Sequence, residues 1–529
     1  MRENQNNKSI FIIVLAFLSI YFCLFGLQKI NLAAADIGRH VKNGELTVQA
    51  FLSNDTKTSK ALLYTNFYSY TNPNFPFINH HWGSGVVAYL IFKVSGWDGL
   101  SVVYILLMLG ALYFSLQTAL EKSPLWIVFP IAVFLVPLMA ERTEVRPEAV
   151  SYFFLMFFIF ILFRYVHGLM KEKYLWLLPI TMFFWANFHI YFIFGFFVIG
   201  VFGLELLLKK DWSKFKKLFV IGCVSAIAAC VNPYGPYLLY YPFIIFKNYG
   251  YLVAENQSIA FLQNLHFMNP NFLWWYITAA IIAIACVGVF FKLMRAKKIQ
   301  SDFPLALALI ALTFAYLSFS AIRNFSLFGF VALPFLAAAS AIIFASIKEK
   351  FKERWLPYAW AVVMSIAFII FSIIHFSDRL PWHSNWGIGL LPNNNASADF
   401  VKQVGIKGPF FSDYDIGGYF IFNMYPEKVF TDNRPEAYPV GFFQNEYIPM
   451  QENDAMWNQE ETKWNFNAIW FYRLDMTPWA QEFLIARVED PEWVPVFVDD
   501  YTIVFVRNVP ANSSIIQKYA LPHSMFGIK

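Results

Sequence analysis

The densest grouping of chemically able side chains is Asp36-Ile37-Gly38-Arg39-His40, an acid, a guanidinium and an imidazole within five positions. A carboxylate there suits taking a proton from an incoming hydroxyl or amide, or stabilising a developing sugar cation. The fork of Arg39 suits phosphate oxygens and keeps its charge when partly buried, and His40 can donate a hydrogen bond or a proton. Similar types recur as Asn79-His80-His81-Trp82, as Glu141, Arg142, Glu144, Arg146 and Glu148, and as Asn187, His189, Asn232, Glu255, Gln257, Arg323 and Asn324. Asp36, His40 and His81 are the candidates for catalysis, and Arg39, Arg142, Arg146 and Arg323 for holding a phosphate. His80, Glu148, Asn187, His189, Glu255 and Gln257 are candidates for lining the same site.

Each has a plainer reading. Asp36 can cap the helix that continues through Arg39 to Gly44, and the arginines can anchor helix ends at lipid headgroups. His80-His81-Trp82 suits an interfacial belt. Glu141 and Glu144 can simply neutralise Arg142 and Arg146, and Asn232-Pro233-Tyr234-Gly235 reads as a helix stop with turn chemistry. What favours chemistry is convergence: the polar residues gather at one end of the apolar spans, and ionisable groups near membrane depth are costly unless they face a cavity or a partner.

The positioning elements are membrane helices. The chain is 58% hydrophobic and only 14% charged, which excludes an ordinary soluble domain. Spans are expected at about 9–27, 100–120, 124–140, 148–166, 174–188, 190–208, 216–232, 271–291, 303–321, 325–346 and 357–376, roughly eleven in all. The first follows a polar N-terminus without a small-residue cleavage site and reads as a retained helix. Residues 81–96 are too short for a confident span and suit an interfacial helix. With that assignment the short loops on the N-terminal side collect most lysines, including Lys209, Lys210, Lys214, Lys216, Lys217, Lys292, Lys297, Lys298, Lys348, Lys350 and Lys352, with Arg295 and Arg354. The opposite short loops hold only Arg142, Arg146 and Arg323. The positive-inside rule then puts the N-terminus in the cytoplasm and residues 377–529 outside.

Two modules are expected: a transmembrane part, 1–376, with outer loops at about 28–99 and 233–270, and an extracytoplasmic α/β domain, 377–529. The second outer loop, rich in Tyr and Phe at its start, could line a lipid access path. In the tail, strands are expected at 409–412, 428–432, 468–472, 494–498 and 502–507, with helices near 396–405, 417–424 and 477–488. From residue 384 onward there are 18 Asp/Glu against 10 Lys/Arg, so the net charge of +5 comes from the membrane loops and implies no nucleic acid partner. Cys23, Cys223, Cys230 and Cys286 all fall in apolar spans and imply neither a disulfide framework nor a metal site.

This arrangement resembles the GT-C class of polyprenyl-phosphate-dependent glycosyltransferases, which includes protein O-mannosyltransferases, aminoarabinose lipid A transferases and oligosaccharyltransferases. The likeness rests on Asp36-Ile37-Gly38-Arg39-His40 after the first helix, on Asn79-His80-His81-Trp82 opening an interfacial helix before the second span, and on Arg142…Arg146-Pro147-Glu148. It implies transfer of a sugar from a polyprenyl-phosphate donor to a glycan, lipid or protein acceptor outside the membrane, with Asp36 as general base. Ser412-Asp413-Tyr414-Asp415-Ile416-Gly417-Gly418-Tyr419, followed by Val429-Phe430-Thr431-Asp432-Asn433-Arg434, is similar to the region around the WWDYG motif of oligosaccharyltransferases, which makes Asp413, Tyr414 and Asp415 acceptor-binding candidates. The tandem Trp is missing here, and Asp415-Ile416-Gly417-Gly418 also reads as a strand-to-helix turn. The first outer loop lacks Asp-x-Asp, so no metal or other cofactor is expected. Two alternatives stay open: a ligase- or polymerase-like transfer of whole glycans from a diphosphate lipid, and a lipid transporter or scaffold without chemistry. Transporters often show internal repeats, and none is visible.

Overall fold

A computed structural model describes residues 2–297, 303–345 and 355–527. Lys298, Lys348, Lys350, Lys352 and Arg354, used for orientation above, lie outside the described residues. The described chain forms two compact units. One comprises Met1–Gln28, Ser101–Leu239 and Val253–Ile388; the other comprises Lys29–Leu100, Tyr240–Leu252 and Gly389–Lys529. The first outer stretch therefore belongs with the tail and not with the spans around it.

The first unit is a helix bundle, and among the described residues each expected span coincides with helix over most of its length. Among the described residues seven helices are long and apolar enough to cross a membrane, including Glu148–Val166, Asn271–Arg295 and Leu356–His375. Leu125–Met139 and Leu305–Ser320 are apolar but shorter. Leu177–Phe188 has 12 residues, about 18 Å of helix against a hydrocarbon core of about 30 Å. Trp212–Ala229 carries Lys214, Lys216 and Lys217 in its first turns. An apolar solvent offers no hydrophobic drive between helices, so polar side chains tie neighbouring backbones instead. Ser115 Oγ donates to the Phe330 carbonyl at 2.7 Å, Trp274 Nε1 to the Phe134 carbonyl at 2.9 Å, and Trp275 Nε1 to Ser318 Oγ at 2.7 Å. The Asn232 turn forms as expected, with Asn232 Oδ1 accepting from the Tyr234 N–H at 2.7 Å and Gly235 at φ 57°.

The second unit is built on a four-stranded sheet of β1 (Phe410–Ser412), β2 (Ala468–Tyr472), β3 (Trp493–Val498) and β4 (Thr502–Arg507), ordered β1-β2-β4-β3. β1 and β2 are parallel, Phe410 facing Ala468, and the other pairs are antiparallel. Phe411 anchors the core, its ring 5.3 Å from that of Trp457 and 5.5 Å from those of Phe466 and Phe483. Residues 428–432, expected as a strand, are not one. Val429 instead makes a single bridge to the first outer stretch, donating to the Tyr68 carbonyl at 3.0 Å and accepting from the Tyr70 N–H at 3.1 Å. The helix expected from 477 starts at Ala480, because the Thr477 N–H is turned back onto Asp475 Oδ1 at 2.8 Å.

Two glycines set the geometry of this unit's front. The helix Trp82–Leu120 breaks at Gly96, whose φ of 62° is open to glycine at no steric cost, so 82–95 and the span after it are separate rods. The helix Ile37–Leu52 crosses the start of the first rod at Gly44, where a Cβ would overlap the Gly85 carbonyl. That backbone contact brings His40 opposite His81.

Candidate functional site

The candidate residues divide between the two units. In the sheet-bearing unit, Asp36 stands at the first position before the helix Ile37–Leu52, but its backbone is already helical (φ −66°, ψ −19°) and its side chain makes no capping bond. The plain capping role is therefore not taken up. Its carboxylate faces Arg39 at 3.7 Å, a loose pair, and Arg39 Nε donates to Asn433 Oδ1 at 3.3 Å. Arg39 and His40 are buried, whereas Asp36 keeps 17% of its side chain exposed. The His40 and His81 rings meet edge to face at 5.2 Å, and His80 lies against His81 at 3.8 Å with Tyr241 beyond at 5.7 Å.

Asn433 is held in place by a buried ion pair on either side of it in sequence. Arg434 donates to Asp432 through Nε at 2.7 Å and Nη2 at 2.6 Å; Tyr438 adds its hydroxyl to Asp432 at 3.0 Å, and Arg434 also reaches Asn66 at 2.8 Å. Glu436 sits close by, half-buried. Burial pushes its carboxyl above the ordinary range, while Arg39 and Arg434 pull against that. Neither Asn433 nor Glu436 was among the expected site residues; the signal for Asn433 was the polar run Thr431-Asp432-Asn433-Arg434 within the stretch that is similar to oligosaccharyltransferases.

Asp413 and Tyr414 are buried, at 0% and 5% exposure, and Asp415 is partly exposed. The Tyr414 ring stacks on Tyr251 at 4.0 Å, and its N–H donates to the Tyr447 hydroxyl at 2.8 Å. Burial, with Glu436, Tyr249 and Asp36 nearby, pushes the Tyr414 phenol far up. Burial together with Asp415 and Asp475 pushes Asp413 well above the carboxylate range.

In the helical unit three arginines and three glutamates interlock. Arg142 Nε meets Glu148 Oε2 at 2.7 Å and its Nη2 meets Glu255 Oε2 at 2.6 Å. Arg146 pairs with Glu144 at 2.5 Å and with Glu255 at 3.0 Å. Arg323 holds Glu148, lies 3.6 Å from Glu255 and donates to Asn256 Oδ1 at 2.9 Å. Burial opposes charge on Glu255, but Arg142, Arg146 and Arg323 outweigh it and hold the carboxyl down at about 2. Glu141 is not part of this network. It accepts from Asn269 at 2.7 Å and pairs with Arg379 at 2.7 Å.

The remaining candidates have structural partners. Asn187 Nδ2 donates to the Phe183 and Val231 carbonyls at 2.8 and 2.9 Å, tying two helix ends. His189 Nδ1 lies 2.8 Å from Ser151 Oγ, which also accepts from Trp185 Nε1 at 2.8 Å. The Gln257 carbonyl accepts from the Ile322 N–H at 3.2 Å. Among the described residues Asp36, His40, His80 and His81 bring no set of three metal ligands together.

No protein-family model matches the sequence, and no curated protein does. The structure does have counterparts. The archaeal oligosaccharyltransferase AglB from Archaeoglobus fulgidus, solved with an inhibitory peptide and a dolichol-phosphate, is similar over 96% of this chain and 75% of its own, with TM-score 0.59 and 12% identity. The chain has a GT-C-type fold. An Archaeoglobus fulgidus oligosaccharyltransferase tethered to an acceptor peptide containing the NVT sequon matches over 94% of this chain and 74% of its own, with TM-score 0.55 and 12% identity. The arabinofuranosyltransferase AftD from Mycobacteria matches 94% of this chain but only 41% of its own length, at TM-score 0.53 and 11% identity. The GT-C architecture expected from the sequence, a polytopic helical membrane part with a small α/β domain, is thus present in the chain.

Proposed function

We propose that this GT-C-type chain is a membrane glycosyltransferase that moves a sugar from a polyprenyl-phosphate donor to an acceptor on the extracytoplasmic face, with the N-terminus cytoplasmic. The observation that carries the reading is Asp36: a partly exposed carboxylate that caps no helix, loosely paired with a buried arginine and two helical turns from a glycine crossing. Asp36 takes the proton from the acceptor nucleophile as the new bond to the anomeric carbon forms. The bond from that carbon to the phosphate oxygen breaks, and the phosphate leaves with the electron pair. Arg39 supplies the fork that neutralises the departing phosphate, and Asn433 keeps that fork oriented. His40 and His81 are further donors beside it. The dolichol-phosphate and the peptide bound to AglB support a lipid phosphate and an acceptor as the two partners.

Arg142, Arg146 and Arg323 are a second anion-binding candidate. Glu148 and Glu255 already occupy their forks, so a phosphate there would compete with a carboxylate. An acceptor would touch Tyr414 only after Tyr251 moved off it; Asp413 is fully buried, and Asp415 is the partly exposed member of that motif.

The test is sugar transfer in proteoliposomes with a panel of polyprenyl-monophosphate sugars, comparing wild type with Asp36→Asn. The variant is expected to bind polyprenyl phosphate and keep its Tm while losing transfer. Near-normal turnover in it would remove Asp36 from the mechanism.

A further inference from the structure

The segments that follow the two parallel strands carry three carboxylates into one place. Asp413 follows β1 directly, Asp415 lies two residues on, and Asp475 lies three residues beyond β2; one oxygen from each falls within 4.8 Å of the others. The carboxyl ends of neighbouring parallel strands are where open α/β sheets present ligands. Clustered acids alone need not bind anything, but two of these are short of partners. Asp413 Oδ1 accepts from the Tyr472 N–H at 3.1 Å, and Asp475 Oδ1 from the Thr477 N–H at 2.8 Å. The second oxygen of each, Oδ2, is buried without a well-formed hydrogen bond, in side chains that are 0% and 2% exposed, and the nearby Ile416 N–H and Thr477 hydroxyl stabilise the two carboxylates only in part. Neither residue has an ion-pair partner among the described residues. A buried carboxylate oxygen with no donor is a costly feature that a bound cation removes.

We infer that Asp413, Asp415 and Asp475 form a calcium site that fastens the segment after β1 to the segment after β2. An all-oxygen set selects a hard cation over zinc or copper. Three protein carboxylates favour calcium over magnesium, which dehydrates reluctantly, keeps several waters and usually takes only one or two carboxylates. The two orphaned Oδ2 atoms and the Asp415 carboxylate are the protein ligands, with water or carbonyl oxygens completing a shell of roughly six to eight. The site holds Tyr414 in place beneath Tyr251, so its role is positioning. It does not depend on which reaction the chain performs.

The experiment uses the full-length chain purified in detergent and stripped with EDTA. Terbium, a calcium-sized luminescent ion, is titrated in, with Tyr414, Tyr251 and Trp479 as the excited antenna; the Tyr251 and Trp479 rings are 6.2 Å apart. Saturable luminescence at one ion per chain, displaced by Ca²⁺ and accompanied by a Ca²⁺-dependent rise in Tm, is expected. Asp475→Asn should lose both signals. Should that variant fail to fold, the wild-type titration and the calcium content of unstripped protein still decide. Absence of bound calcium and of luminescence in wild type overturns the proposal, as does an Asp475→Asn chain that melts higher than wild type, which would mean the acids simply hold protons. Displacement by Mg²⁺ but not by Ca²⁺ overturns the choice of ion.

Discussion

Replacing Glu255 by Gln should weaken the fold and tighten phosphate binding at once. Folding takes this carboxyl from its ordinary 4.5 to about 2, which stabilises the folded state by roughly 3 kcal/mol at neutral pH. The sign follows from the depressed pKa: the contribution is complete above about pH 4.5 and drains away as pH falls toward 2. At about 2 cal/mol/K of unfolding entropy per residue, losing it lowers Tm by roughly 3 °C in this chain. The variant should also show a flatter loss of stability between pH 4.5 and 2 than wild type. The same interaction opposes an incoming anion. A phosphate that takes over Arg142 Nη2 and Arg146 Nη1, now 2.6 and 3.0 Å from Glu255, must displace the carboxylate, and about 3 kcal/mol corresponds to roughly a hundredfold in affinity. Glu255→Gln should therefore bind polyprenyl phosphate up to about a hundredfold more tightly in nanodiscs, while melting a few degrees lower. Weaker lipid binding in the variant would show that the arginines are bound up in structure alone, and an unchanged Tm would refute the electrostatic reasoning.

Three further outcomes are expected. Gly44→Ala forces a Cβ into the Gly85 carbonyl and should cost about 1–3 kcal/mol, read as a lower Tm and as reduced transfer through the shifted His40. Arg434→Ala leaves Asp432 buried without its partner and should cost about 3–5 kcal/mol, whereas Arg473→Ala, on an exposed arginine of the same unit, should stay within about 0.5 kcal/mol. Asn433→Ala removes the hydrogen bond to Arg39 and should lower transfer with little change in Tm, a split visible by comparing turnover with thermal melts.

The spans, the break near residue 96 and strands β2 and β4 were legible because each is a local pattern: a long apolar run, a glycine between two apolar segments, or a short β-branched and aromatic stretch between turn residues. The expected strand at 428–432 has the same local look, but Val429 finds its partner at Tyr68 and Tyr70, more than 350 residues away, and only one bridge forms. Asp36 looked like a cap because residue type and position matched one. Whether its oxygen reaches an N–H depends on the local torsions, which here are helical.

Residue types alone determined that this chain is a multi-span membrane protein with an α/β domain and that Asp36, Arg39 and His40 share one short stretch. Tertiary structure decided how the charges are shared out. Arg142 and Arg146 are matched by Glu255, more than a hundred residues on, and Glu148 by Arg323, 175 residues away. Asp475 joins Asp413 and Asp415 across the whole connection from β1 to β2. Hydropathy and backbone propensity act over a few residues and leave a trace in the sequence. A Coulomb pair or a shared cation site depends on distances that exist only after the chain has folded.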